Sequence, residues 1–250
     1  MKSSLYVYAF CDQPLEGAPL VGLDNADVFF LEGGGMCAAV SRAPSGRLRP
    51  QRRLLAAHQR VLSSIVERVS VLPAAFGLVA DDRGSLLEAM SLHAGTLRQE
   101  LERIDGCVEL EIRLAWTASN VFEHLVEIDE MLRALRDELL QYGASAPHDL
   151  KVAVGRRVDA VLAHYRSDAE TRLMQGIEPV CREVQGHAPG AEGELARIAA
   201  LVERESLNAF DAALESAAST FDESHVFNIA GPFAPHSFVD LRLDLSSVAA

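Results

Sequence analysis

Few spacings in this chain of 250 residues could do chemistry. The triple glycine Gly33-Gly34-Gly35 could cradle a phosphate, but such a cradle needs a helix N-terminus directly after it. Here the apolar run Met36-Cys37-Ala38-Ala39-Val40 follows, so the glycines read as turn residues of a hairpin. Ser224 precedes His225 and His236 precedes Ser237, yet neighbours in sequence do not make a catalytic triad, and no G-x-S-x-G elbow supports either serine. Asp81-Asp82 could hold a divalent cation; beside Gly84 the pair reads as a turn before a helix. Glu109/Glu111 and Asp240/Asp244 fall on the polar faces of strands, where solvated carboxylates are expected. His58 lies on an apolar helical stripe without a second ligand one turn away, the setting of a core imidazole. The eight histidines show no H-x-x-x-H pair. These patterns predict no catalytic residue, cofactor or metal. The competing reading, a small-molecule-binding or enzymatic α+β domain, would use a pocket under Phe233 and His236.

Around these residues the hydrophobic pattern predicts the following elements. Leu5–Phe10 is a strand, and Val28–Leu31 and Met36–Val40 are two strands of a hairpin. A helix runs from about Arg52 to Ser70, with Leu54, Val61, Leu62 and Ile65 on one stripe. Val71–Val79 is apolar but broken by Pro73, as at a sheet edge. Ser85 with Glu88 reads as a capping box opening a helix that Gly106 stops, and Cys107–Trp116 alternates as a strand. The order β-β-β-α-β-α-β predicts an α+β sandwich over residues 1–117.

In the remainder, 118–250, Asn120 opens a helix to about Tyr142 whose Val121, Leu125, Ile128, Leu132, Leu135 and Leu139 make a heptad seam. A second helix runs from about Asp149 to Pro179, which predicts a long antiparallel helical hairpin over about 120–186. Its seam could pack internally or receive a partner helix. Gly186, Pro189, Gly190 and Gly193 form a linker, and a small β-α-β-β unit follows over about 194–246. That unit ends in Gly231-Pro232-Phe233-Ala234-Pro235-His236-Ser237-Phe238, whose two prolines withhold backbone donors and exclude a helix or central strand before Phe238. From Val239 to Leu245 strict alternation predicts a closing strand.

Composition narrows the class. Half of the residues are hydrophobic (49%), enough for a substantial core. The formal charge of −13 repels phosphate backbones and anionic membranes, which excludes a general nucleic-acid or membrane binder. Arg42, Arg47, Arg49, Arg52 and Arg53 form one local basic cluster, which reads as a solvated linker. Four scattered cysteines, no leader-like start and no long apolar run point to a cytosolic chain with reduced thiols.

Four features in this order are similar to the gas vesicle protein F/L family: Leu5-Tyr6-Val7-Tyr8; Leu72-Pro73-Ala74-Ala75-Phe76-Gly77-Leu78-Val79; Gly106 with Glu109; and Gly231 to Val239. The likeness covers essentially the whole chain, and the C-terminal run is its most specific part. Phe233 stands where the family often has tryptophan, His236 where tyrosine is usual, and Ala75 near a bulky or basic position. The resemblance implies two α+β domains with ferredoxin-like character, no catalysis, and an accessory role in gas vesicle nucleation and assembly. It also implies binding to the major shell protein and to other gas vesicle accessory proteins, and location at the vesicle. Leu72, Pro73, Phe76, Gly77, Gly231, Pro232, Phe233, Pro235, His236, Ser237 and Phe238 are then expected to shape the fold and, secondarily, to contact partners.

Overall fold

A computed structural model describes residues 4–240 except 16, 18 and 47. The protein is mixed α+β, with two sheets and several helices. Strands β1 (Leu5–Cys11), β2 (Leu20–Val21), β3 (Asp27–Gly33) and β4 (Met36–Arg42) begin the first sheet, and β5 (Val71–Pro73) and β6 (Val79–Ala80) complete it. Its order is β2-β3-β4-β1-β5, with β6 also on β1. All seven residues of β1 are buried, as befits a central strand written almost entirely in aliphatic and aromatic residues. The β3–β4 hairpin turns through Gly34 (φ 63°) and Gly35 (φ 77°), positions that a side chain would strain. The triple glycine is therefore a turn, as its apolar sequel predicts. Pro73 ends the short strand β5, paired with Ala9 of β1, where a missing N–H is tolerated.

Helix α1 (Arg52–Val66) turns Leu54, His58, Val61, Leu62 and Ile65 inward. It stops four residues before the expected end. Arg204 donates to the carbonyls of Val66 (3.1 Å) and Val69 (3.0 Å), and Ser70 is engaged with Asp105 and with the Gly106 N–H (3.0 Å). The next predicted helix is two, α2 (Arg83–Leu92) and α3 (Ala94–Arg103), separated at His93. Its cap is Asp82 rather than Ser85: Asp82 Oδ1 accepts from the Ser85 N–H at 2.9 Å, and Ser85 Oγ in turn accepts from the Asp82 N–H.

Strand β7 (Cys107–Trp116) leads to α4 (Val121–Ile128), α5 (Glu130–Tyr142) and α6 (His148–Ile177). The expected continuous helix from Asn120 to Tyr142 breaks at Asp129, whose extended backbone lets its side chain cap α5 through the Leu132 N–H at 2.7 Å. Arg157 holds the same carboxylate bidentately and keeps its pKa below the ordinary range. The heptad seam is interrupted there: Leu125 and Leu132 are buried while Ile128 between them is exposed. Helices α5 and α6 pack on each other as a hairpin, and Pro179 follows the end of α6. The expected linker is in part a strand, β8 (Glu183–His187). Then come β9 (Glu194–Glu203), α7 (Leu207–Ala218) and β10 (His225–Phe233), in a sheet ordered β10-β7-β9-β8.

Two compact units emerge from the contacts. Among the described residues one comprises those within 4–110, 201–205 and 231–240, the other 111–200 and 206–230. The second unit is cored by Trp116, whose ring meets Tyr165 edge-on at 5.5 Å, and by Phe210 and Leu173. Most of the expected closing strand, Val239–Leu245, lies outside the described residues. The proline-rich run forms no central strand, as its prolines require. It extends edge strand β10 as far as Phe233 and then makes a single 3-10 turn, His236–Phe238. Pro232 is tolerated because β10 is an edge strand.

Candidate functional site

A buried polar cluster of the first unit lies between β1, α1 and the loop joining β5 to β6. Tyr6 and Tyr8 point inward from β1 and are fully buried. Tyr6 Oη lies 2.8 Å from Nδ1 of His58 and accepts the Gly77 N–H at 3.2 Å. The same hydroxyl thus ties the Gly77 backbone to the imidazole. Burial drives the His58 pKa down to about 4; neighbouring His236 reinforces this, and the backbone at Ala74 opposes it. Burial also raises the pKa of both tyrosines. Tyr8 Oη bonds to Ser41 Oγ (2.9 Å) and accepts the Leu23 N–H (2.8 Å). Nε2 of His58 is buried and meets no hydrogen-bond partner among the described residues.

The two motif segments converge on this histidine. Phe76 packs edge-on against His58 at 5.9 Å and against Tyr6 at 6.1 Å, and the His236 ring lies 6.5 Å from His58. Leu72 is buried in β5, and the Ala74 N–H reaches the Tyr8 carbonyl at 2.9 Å. Gly77 adopts φ 95°, which suits glycine and aims its N–H at Tyr6.

A carboxylate anchors the C-terminal motif. Glu109 accepts from Ser237 twice, from its N–H at 2.7 Å and its Oγ at 2.8 Å. Sequence alternation places Glu109 on a solvated face; the structure buries it at 7% exposure because Ser237 supplies the donors that water would. Arg103 donates to the Phe238 carbonyl. Gly231 takes φ 130°, close against the Glu109 carbonyl, and the Gly231–Pro232 peptide is cis. Ala234, Pro235 and Phe238 are buried, Phe233 is half-buried, and Pro232 is exposed. The motif, assigned from sequence to the second domain, thus groups with the N-terminal residues that hold it.

No nucleophile is prepared here: the buried hydroxyls and the imidazole are held neutral. The Ser224–His225 pair forms no triad either. Nδ1 of His225 meets both Asp222 (2.8 Å) and Ser224 (3.2 Å), whereas a triad uses the two ring nitrogens separately. Bonds from Ser224 and His225 push the Asp222 carboxyl down to about 2, the behaviour of a turn carboxylate. Among the described residues no group of three or more His, Cys, Asp or Glu is placed to hold a metal ion.

The family model described as gas vesicle synthesis protein GvpL/GvpF matches residues 4–240. This chain belongs to the GvpL/GvpF family. It is 28% identical to gas vesicle protein F of Streptomyces sp. (strain CB03234), covering 95% of this chain and 100% of that one. It is 24% identical to gas vesicle protein L1 of Halobacterium salinarum, covering 95% and 91%. The crystal structure of the gas vesicle protein GvpF from Anabaena sp. PCC7120 superposes with a TM-score of 0.81 at 22% identity, over 96% of this chain and 100% of that one. That similarity establishes the mixed α+β fold. GvpL/GvpF membership ties the chain to gas vesicles as an accessory protein of a family not known for catalysis. No helix among the described residues is long and apolar enough to cross a membrane.

Histidine 58, Tyr6 and Glu109 matter more to this GvpL/GvpF site than their sequence context suggests. His58 stands on an apolar stripe and reads as core, which it is; its polar partner lies 52 residues away. Glu109 accompanies Gly106 in the family pattern, the one sequence signal that singles it out.

Proposed function

We propose that this GvpL/GvpF chain binds the major gas vesicle shell protein and other accessory proteins and assists vesicle nucleation and assembly, working in the cytoplasm and at the vesicle. The observation that carries this is the family match over 237 of 250 residues, from 4 to 240. The surface of the second unit suits such work. Met131 (58% exposed), Leu140 (69%) and Tyr142 (48%) stand out from α5, and Ile229 (55%) from edge strand β10. Exposed apolar helix faces and uncharged sheet edges are the features by which helices and strands of partners dock. The motif residues hold the first unit rigid, with partner contact secondary. In this reading the chain carries two modules of ferredoxin-like character, divided at 117/118 in sequence, with residues 201–205 and the C-terminal motif grouping with the first.

Co-purification tests the binding. Tagged protein expressed with the major shell protein should retain it through washing, and the retention should survive moderate salt because apolar burial is weakly screened. Recovery of the tagged chain alone, folded by circular dichroism, would contradict the proposal.

A further inference from the structure

Part of the basic cluster ahead of α1 is not absorbed by the fold. Arg53 pairs with Asp24 at 2.5 Å, but Arg49 and Arg52 make no ion pair among the described residues. Helix α1 begins at Arg52 without a side-chain cap from Gln51 and without an acidic residue in its first turn. Among the described residues its first N–H groups thus receive no side-chain cap at the positive end of the helix dipole. Beside this end lies an open depression of about 660 Å³, walled by Arg52, Leu55, Gln59, Phe76 and His236, with His58 also in its lining. Leu55 is 43% exposed there. His58 is only 4% exposed; its Nδ1 meets Tyr6, and its buried Nε2 meets no hydrogen-bond partner among the described residues.

The depression therefore combines apolar walls with a guanidinium, the start of a helix and a buried imidazole. Among the described residues no carboxylate lines it. What fits is a carbon-rich group carrying an anionic acceptor. In a chain of net charge −13 this cationic spot is a local exception, and it discourages a second copy of the same acidic chain as occupant. We propose that this depression seats a segment of a partner protein in which an apolar side chain stands beside a carboxylate: the apolar group against Leu55 and Phe76, the carboxylate at Arg52 and the first turn of α1. This rests on the partner-binding reading above and names the chemistry of one contact within it.

The test is an amide NMR titration of the full chain with N-acetyl-Gly-Glu-Phe-Glu-Gly-amide, against its Lys-Phe-Lys counterpart and sodium acetate, each to about 5 mM. The acidic peptide should shift the signals of residues 52–59, 76 and 77 saturably, at least about tenfold more tightly than the basic one. Arg52→Glu and Leu55→Glu, both at the surface, should each weaken it about tenfold with the remaining spectrum unchanged. No saturable shift, equal response to the basic peptide, or acetate reproducing the whole effect would overturn the proposal. So would self-association in sedimentation that Leu55→Glu abolishes, because the occupant would then be a second copy. Co-purification with the shell protein separates the two readings. Retention by wild type and loss by Leu55→Glu supports both, whereas retention by both proteins removes this contact and leaves the function. If neither retains it, the function falls and the peptide titration alone judges the site.

Discussion

Replacing Gly231 by alanine should destabilise the protein by about 3 kcal/mol, lowering the midpoint of thermal unfolding by roughly 6–12 °C. Two effects combine. A φ of 130° is open to glycine and strained for any residue bearing Cβ. The added Cβ would also lie 2.8 Å from the Glu109 carbonyl oxygen and 2.9 Å from Leu110 Cδ2, so the strand beneath cannot yield cheaply. Moving the backbone at 231 in turn strains the two bonds from Ser237 to Glu109, and a buried carboxylate robbed of its donors is costly. A scan in which alanine shifts the midpoint by less than about 1 °C would show that this segment is not held as described.

Acid should weaken the protein through His58 before most carboxylates titrate. The folded pKa, about 4, lies below the ordinary value of 6.5, so between these limits the unfolded chain binds a proton that the folded chain does not. Stability from this group is complete above pH 6.5 and is lost as the pH falls toward 4. At about 1.4 kcal/mol per pH unit, the loss is at most about 3 kcal/mol. Asp129 and Glu111, whose ion pairs lower their pKa, add their own losses at the acid end, so the variant is the informative comparison. His58→Gln keeps an acceptor for Tyr6 and cannot titrate. Urea unfolding at pH 7 and pH 4.5 should show a smaller drop for the variant than for wild type; equal drops would contradict the assignment.

Local pattern carried much of the first unit. Strands β1, β3 and β4, helix α1 and strand β7 lie where alternation or a 3.6-residue stripe places them, because each buries a face that its own residues define. Element ends were less legible, since distant residues decide them. Asp129 breaks the helix after Asn120 with Arg157, 28 positions on, as its partner, and Arg204 receives the end of α1 from 138 positions away. Glu109 illustrates the same limit at the site. Alternation reports which way a side chain points; it does not report that Ser237 waits there with two donors. The family motif located both segments that meet at His58, and its residues reveal their roles only once Tyr6, Gly77 and His236 are brought together.

The central claim is that this chain serves gas vesicle assembly, and removing it from a vesicle-forming cell tests that most directly. Counting vesicles per cell by electron microscopy after deletion should show few or none, with numbers restored by the wild-type gene supplied in trans. Normal vesicle number and shape in the deletion strain would contradict the account.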